Sequence, residues 1–316
     1  MFLFQVLPSP PLHFIKQLES IIFDFIWSGN PDKVKRSTLI NEFEAGGLKA
    51  PHLHSFIRGL KCSWVKRYTD NNDALWKIFF DHYLKPYGKD FLFHCNFSYH
   101  DVSITNDFIN DVCKAWSYYA FKNPRNDFKN QIIWNNSFIK VDKRIVFFKK
   151  MYENGIVFVK DLYDEENSLL SIGNLIQTFS LHSFPFTLIH SVIDAIPISW
   201  KGDIYPLDND SETPFKCFCE ITSVSQHVCR SLVNDISTPP TSINKWEREF
   251  NFSNDQWKSI FKIPFYTLSE TKLQYFQFRF LHRLLGTNHL LYSVFSTGPN
   301  FVPALVWQMT PIAALP

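Results

Sequence analysis

The chain has 316 residues, 45% hydrophobic and 20% charged, so burial can offset ordering entropy and wholesale disorder is excluded. Lys and Arg total 32 against 30 Asp and Glu, a formal charge of +2, which excludes a protein working through a strong global field. Any nucleic-acid contact must therefore come from local basic patches, set among 33 Phe, 12 Tyr and 9 Trp that supply apolar area for a core.

In chain order, Pro8 to Pro11 give a rigid start suited to the first turn of a helix. Residues 12–27 then place Leu12, Ile15, Leu18, Ile22, Phe25 and Ile26 at helical spacing, which predicts an amphipathic helix. Ser28 to Pro31 stop it. A basic turn with Lys33, Lys35 and Arg36 leads into a short helical stretch, and Gly46-Gly47 breaks the chain again. A second helix is expected over 52–68, with Leu53, Phe56, Ile57, Leu60 and Trp64 apolar and Arg58, Lys61, Lys66 and Arg67 basic.

Further helices are expected around Leu75–Phe80, Phe108–Trp116, Ser168–Phe179, Phe186–Ala195 and Ile221–Val233. Three more are expected at Asn244–Phe250, Gln256–Phe261 and Ser269–Leu285, with Gly286 as a C-terminal cap. Gln131–Phe138 and Val141–Phe148 are ambiguous, and Gly155–Val159 reads as a short strand. Lys201–Lys216 reads as an internal linker, and the tail from Ser296 has no periodicity. The fold class is mainly α, with two or three units at roughly 100–200 residues each.

Six cysteines are too few for a disulfide scaffold, the apolar start lacks a basic leader, and no run of about eighteen apolar residues occurs. An intracellular protein, cytoplasmic or nuclear and without a membrane partner, is the expectation. Cys217, Cys219, His227 and Cys229 form pairs with one-residue gaps, which suit tetrahedral zinc poorly. In a helix His227 and Cys229 would point apart, so no metal site is expected. Asp161, Asp164, Glu165 and Glu166 read as a solvated turn before a helix rather than a magnesium site. No nucleophile elbow, Walker loop or dinucleotide fingerprint is present. No cofactor or small-molecule ligand is expected.

Basic groups interleaved with aromatics remain. Lys33, Lys35 and Arg36 lie beside Trp27; Arg58, Lys61, Lys66 and Arg67 accompany Trp64 and Tyr68. Lys140, Lys143, Arg144, Lys149 and Lys150 accompany Phe147 and Phe148, and Lys272, Arg279, His282 and Arg283 lie along a Phe/Tyr-rich helix. Cations neutralise phosphates and rings stack on unpaired bases. A charged outer face over an aromatic core gives the same pattern.

Several spaced motifs resemble one family. Leu7-Pro8, Phe14, Glu19, Phe25-Ile26-Trp27, Leu39, Ala45-Gly46-Gly47-Leu48 and Pro51 are similar to the segment after the palm in reverse transcriptases of long interspersed non-LTR retrotransposons. Gly155-Ile156 with Asp161-Leu162, and Ala195-Ile196-Pro197 with Trp200-Lys201, resemble later signatures. So do Lys245-Trp246-Glu247 with Trp257 and Ile260, and Leu273 through Leu285 with Thr287-Asn288 and Leu290. The resemblance covers about residues 1–291 and is strongest at both ends. It implies a helical thumb-like bundle over 1–90 followed by irregular helical structure, a helical post-thumb region at 91–215 and a second helical post-thumb region at 216–295, then an irregular tail, 296–316.

The departures are as informative. The family's polymerase site is a pair of adjacent aspartates, and no Asp-Asp dipeptide occurs here. Its endonuclease and its downstream Cys/His knuckle have no counterpart either. The expectation is a non-catalytic fragment, the apolar Phe2-Leu3-Phe4 being its severed link to the palm. Such a piece would bind RNA or RNA–DNA hybrid through the backbone without reading sequence. Lys33, Lys35, Arg36, Arg58, Lys61, Lys66 and Arg67 are the phosphate-contact candidates, chosen by charge and placement. An interaction protein or decayed reading frame with no nucleic-acid role is the alternative.

Overall fold

The computed structural model describes residues 7–120, 128, 130–164, 166, 168–201 and 218–285. It is mainly helical, and among these residues the only ladder is a small hairpin, β1 (Lys140–Val141) antiparallel to β2 (Arg144–Ile145). No described helix is long and apolar enough to cross a membrane. Beyond Lys201 the expected linker lies outside the described residues, as do the Gly286 cap, the tail and Cys217.

The chain divides into two compact units, both discontinuous. One is Met1–Asp32 with Lys49–Ser237, the other Lys33–Leu48 with Thr238–Pro316. This division cuts across the linear series expected from sequence, because pairing between distant segments leaves no local signal.

In the first unit, α1 (Leu12–Ile26) starts directly after Pro11, whose φ is −55°. It buries Ile15 and Phe23, while Leu12 and Phe25, expected on the inner side, are 56% and 84% exposed. Apolar residues occur on more than one side of this helix, so periodicity alone does not select the buried arc. Next comes α3 (Leu53–Thr69), preceded in the chain by α2 (Arg36–Leu39) of the other unit. At its N-terminus His52 accepts from the Ser55 amide at 3.3 Å and Glu19 accepts from the Leu53 amide at 3.0 Å. Two first-turn donors are thereby satisfied.

After α4 (Lys77–Leu84), α5 (Asp107–Ala120) packs on α3. So does α10 (Val224–Ile236), which follows α6 (Lys149–Glu153), α7 (Ile172–Thr178), α8 (Phe186–Ala195) and α9 (Ile198–Lys201). Gly59 permits the α3–α10 approach: a β-carbon there would lie 2.3 Å from the Ser225 carbonyl oxygen. One core cluster joins Cys62, Val65, Tyr68, Phe80, Trp116, Phe218 and Val228. The second gathers Ile133, Trp134, Met151, Ile156, Leu162, Leu175, Ile189 and Trp200.

The segment 155–159 departs from expectation. Instead of a strand at 155–159, Phe158 makes an isolated bridge to Ile132, and Val159–Leu162 turns into a 3₁₀ helix. Asp161 drives the turn by accepting from the Val157 and Phe158 amides at 2.8 and 2.7 Å.

In the second unit, residues 33–48 join α11 (Ile243–Trp246), α12 (Asn254–Thr267) and α13 (Thr271–Leu281). Thr238 ties the two stretches: its amide donates to the Ser37 carbonyl at 3.1 Å and its carbonyl accepts from Asn41 Nδ2 at 2.9 Å. Gly46, at φ +74°, carries its backbone against Pro240 and Phe261 where no side chain would fit. A capping box opens α12: Ser253 Oγ accepts from the Gln256 amide, and Gln256 Oε1 accepts from the Ser253 amide.

His282 closes this core. Its ring centre lies 4.2 Å from Phe278 and 5.8 Å from Phe261, and its Nε2–H donates to the Gly46 carbonyl at 2.9 Å. Burial pushes the imidazole down to about 4, with the Gly46 hydrogen bond opposing. The unfolded imidazole titrates near its ordinary 6.5, so the unfolded chain takes up the proton first as pH falls. Stability conferred by the neutral ring is complete above about 6.5 and is lost toward pH 4, by about 3 kcal/mol. Urea unfolding of the parent and of His282→Gln should show the parent losing more stability over that window. Parallel pH profiles would contradict the assignment.

Candidate nucleic-acid interface

The seven expected phosphate contacts do not form one surface. Lys33, Lys35 and Arg36 belong to the second unit and are exposed. Between them Val34 is buried, and Leu39 of α2 is fully buried, so the turn is anchored from beneath with its bases outward. Ser37 Oγ lies 2.7 Å from Thr238 Oγ1, which pins the turn's far end.

The other four sit on α3, in the first unit, and their surroundings differ. At about 100° per residue, Arg58, Lys61, Lys66 and Arg67 spread around most of the helix rather than along one side. Lys61 must be withdrawn as a phosphate contact. It is 1% exposed, its ammonium donates to the Leu7 carbonyl, and it lies 4.3 Å from the centre of the Phe108 ring. Burial pushes this amine down to about 8, with Asp111 opposing. A base between apolar neighbours reads as a surface residue in sequence because periodicity cannot see that α5 covers it.

Arg58 is half-buried, its guanidinium 3.7 Å from the Tyr118 ring centre, and Lys66 donates to the Ile221 carbonyl. Both side chains join α3 to its neighbours, so neither is displayed as a free phosphate ligand. Arg67 is exposed and lies 5.0 Å from the Trp64 ring centre.

The remaining basic groups are partly spoken for. Lys140 pairs with Asp101 at 2.6 Å and Lys149 with Glu153 at 3.3 Å. Just past the end of α13 His282 is buried, while Lys272 in its first turn is exposed. Charge is unevenly shared between the units. Across 33–48 and 238–285, ten Lys and Arg face six Asp and Glu, a net of +4 in a chain that nets +2 overall.

Other candidate chemistry resolves into structure. Asp164 accepts from the Ser168 amide at 2.8 Å and Asp161 from the Val157 amide, so these two carboxylates serve as acceptors for backbone amides, while Glu165 lies outside the described residues. Burial raises the Cys219 and Cys229 thiols. Among the described residues no group of three His, Cys, Asp or Glu side chains converges for a metal. A cleft of about 450 Å³ lies beside Tyr68, Asp73, Lys77, Asp81, Lys89 and Asp90. There Asp81 already accepts from Tyr68 at 2.6 Å and Lys89 at 2.7 Å, and three carboxylates on the rim oppose a phosphate. No known family model matches the chain, and no curated protein matches it.

Sequence reasoning missed the structural use of His282 and of Lys61. Only the first had a signal: a histidine inside an apolar helical stripe, Phe278 to Leu285, is a candidate core residue.

Proposed function

We propose that this chain is a post-palm region of the non-LTR retrotransposon reverse-transcriptase type, without polymerase chemistry of its own. It binds RNA or RNA–DNA hybrid through the sugar–phosphate backbone, using the second unit. The observation that carries this reading is the exposed Lys33, Lys35 and Arg36 on an anchored turn of a unit with a net charge of +4. Such a patch draws polyanions and holds phosphates without reading bases.

Two further points support it. The motif stretches that carry the resemblance at 39–48 and 245–285 belong to the same unit, with Gly46 bonded to His282. Paired carboxylates for two-metal phosphoryl transfer are not offered by any Asp-Asp dipeptide.

A gel shift with hairpin RNA tests the reading. The parent should shift the RNA, and Lys33→Glu/Lys35→Glu/Arg36→Glu should weaken binding by at least about tenfold, since three phosphate contacts become repulsions. A parent that shifts no RNA would favour an interaction protein instead. Incorporation of labelled nucleotide by the pure chain with Mg²⁺ or Mn²⁺ would end the non-catalytic part.

A further inference from the structure

We infer that the outward face of α13 stacks unpaired bases, making single-stranded RNA the preferred ligand of the second unit. This rests on the reading that the second unit binds nucleic acid, and it adds the strandedness of that ligand. The inner face of α13 is spent on the core, where Phe278 is 1% exposed. The opposite face is not polar. Leu273, Phe276 and Phe280 are 47%, 44% and 38% exposed, and helical spacing gathers them within about 60° of one another. Phe276 and Phe280 stand one turn apart, with an axial rise of about 6 Å.

The rings continue onto α11 and beyond it. The Phe280 ring centre lies 5.5 Å from Trp246, and Trp246 lies 6.2 Å from Phe250, itself 42% exposed. Cations border these rings. Lys272 is exposed beside Phe276, and Arg279 follows along the same edge. Arg279 lies 5.9 Å from the Tyr275 ring centre; its Nε is buried with no hydrogen-bond partner, and it makes no ion pair among the described residues. Arg283, 4.0 Å from the Trp246 ring centre, is instead neutralised by Glu249.

Exposed flat rings bordered by an exposed ammonium, Lys272, and by the half-buried guanidinium of Arg279, which no carboxylate neutralises among the described residues, call for a ligand that is flat, apolar and anionic at once. A single strand offers base faces and phosphates together. A duplex hides its base faces inside the stack, so it meets only the cations. An anionic lipid surface is the competing partner that shares the charge and lacks the flat faces.

Fluorescence anisotropy of the full chain separates these cases, using labelled oligouridylate, blunt duplex RNA of the same length and phosphatidylserine vesicles. Phe276→Ala/Phe280→Ala should lower oligouridylate affinity by about tenfold or more and leave duplex affinity unchanged. Phe276→Trp/Phe280→Trp, which keeps the stacking surface, should restore it. Unchanged oligouridylate affinity in the alanine pair, equal loss on both RNAs, or tryptophan behaving as alanine would each overturn the stacking role. Vesicle binding that alone depends on the two rings would overturn it in favour of lipid. If the parent still binds duplex, the backbone reading survives those failures; if it binds neither RNA, both readings fall.

Discussion

Trp134→Ala should cost about 3–5 kcal/mol, the range for removing a large buried aromatic side chain. Trp134 is 0% exposed, and its indole N–H donates to the Ile156 carbonyl at 2.7 Å. Phe147 and Phe148 meet it edge-on at 6.4 and 6.0 Å. The backbone on either side is fastened as well: Ile133 donates to the Val157 carbonyl at 3.0 Å and Asn135 to the Val146 carbonyl at 2.9 Å. Alanine leaves a cavity that such a fastened loop cannot close, and it orphans the Ile156 carbonyl. Trp134→Phe, which loses mainly the hydrogen bond, should cost about 1 kcal/mol plus a smaller cavity. Urea unfolding followed by circular dichroism orders the three proteins. A loss below about 1 kcal/mol for the alanine variant would mean that this cluster does not hold the first unit together.

Gly59→Ala should destabilise the chain by about 2–3 kcal/mol, against the helix-propensity trend. In an exposed helix the change from glycine to alanine gains about 1 kcal/mol. Here the added carbon would meet the Ser225 carbonyl oxygen at 2.3 Å and the Cys229 amide nitrogen at 3.3 Å. Both obstacles are backbone of α10, so no rotamer change relieves them, and the helices must separate along a contact that includes Cys62, Val65, Val228 and Leu232. The sign decides the matter: a higher melting temperature for Gly59→Ala would contradict the close approach of α3 and α10.

Much of the helical framework was legible in the sequence, for identifiable reasons. Helix α8 spans Phe186–Ala195 as expected, because Pro185 and Pro197 bracket an unbroken apolar period. Helices α1, α3 and α5 followed from the same spacing. The Ser253-to-Gln256 capping box was available too, and it starts α12 two residues earlier than periodicity suggested. The association of 33–48 with 238–285 was not legible, because it depends on Thr238, Gly46 and His282 meeting across the chain. For the same reason the charged residues of α3 looked alike. Covering by α5 and α10, which no local pattern encodes, separates buried Lys61 and half-buried Lys66 from exposed Arg67. The segment 155–159 reads as a strand because Ile156, Val157 and Val159 are β-branched, whereas a side chain outside that pattern, Asp161, organises the backbone there into a turn. Of the candidate interface, only the turn at Lys33, Lys35 and Arg36 emerges exposed as a group.

The dependence of hairpin-RNA affinity on salt tests the central claim most directly. Each phosphate contact contributes about 0.7–0.9 to the slope of log affinity against log salt. The parent should show a steep negative slope, and the Lys33→Glu/Lys35→Glu/Arg36→Glu protein a slope shallower by about two. Identical slopes, or an affinity indifferent to salt, would contradict backbone binding by the basic turn.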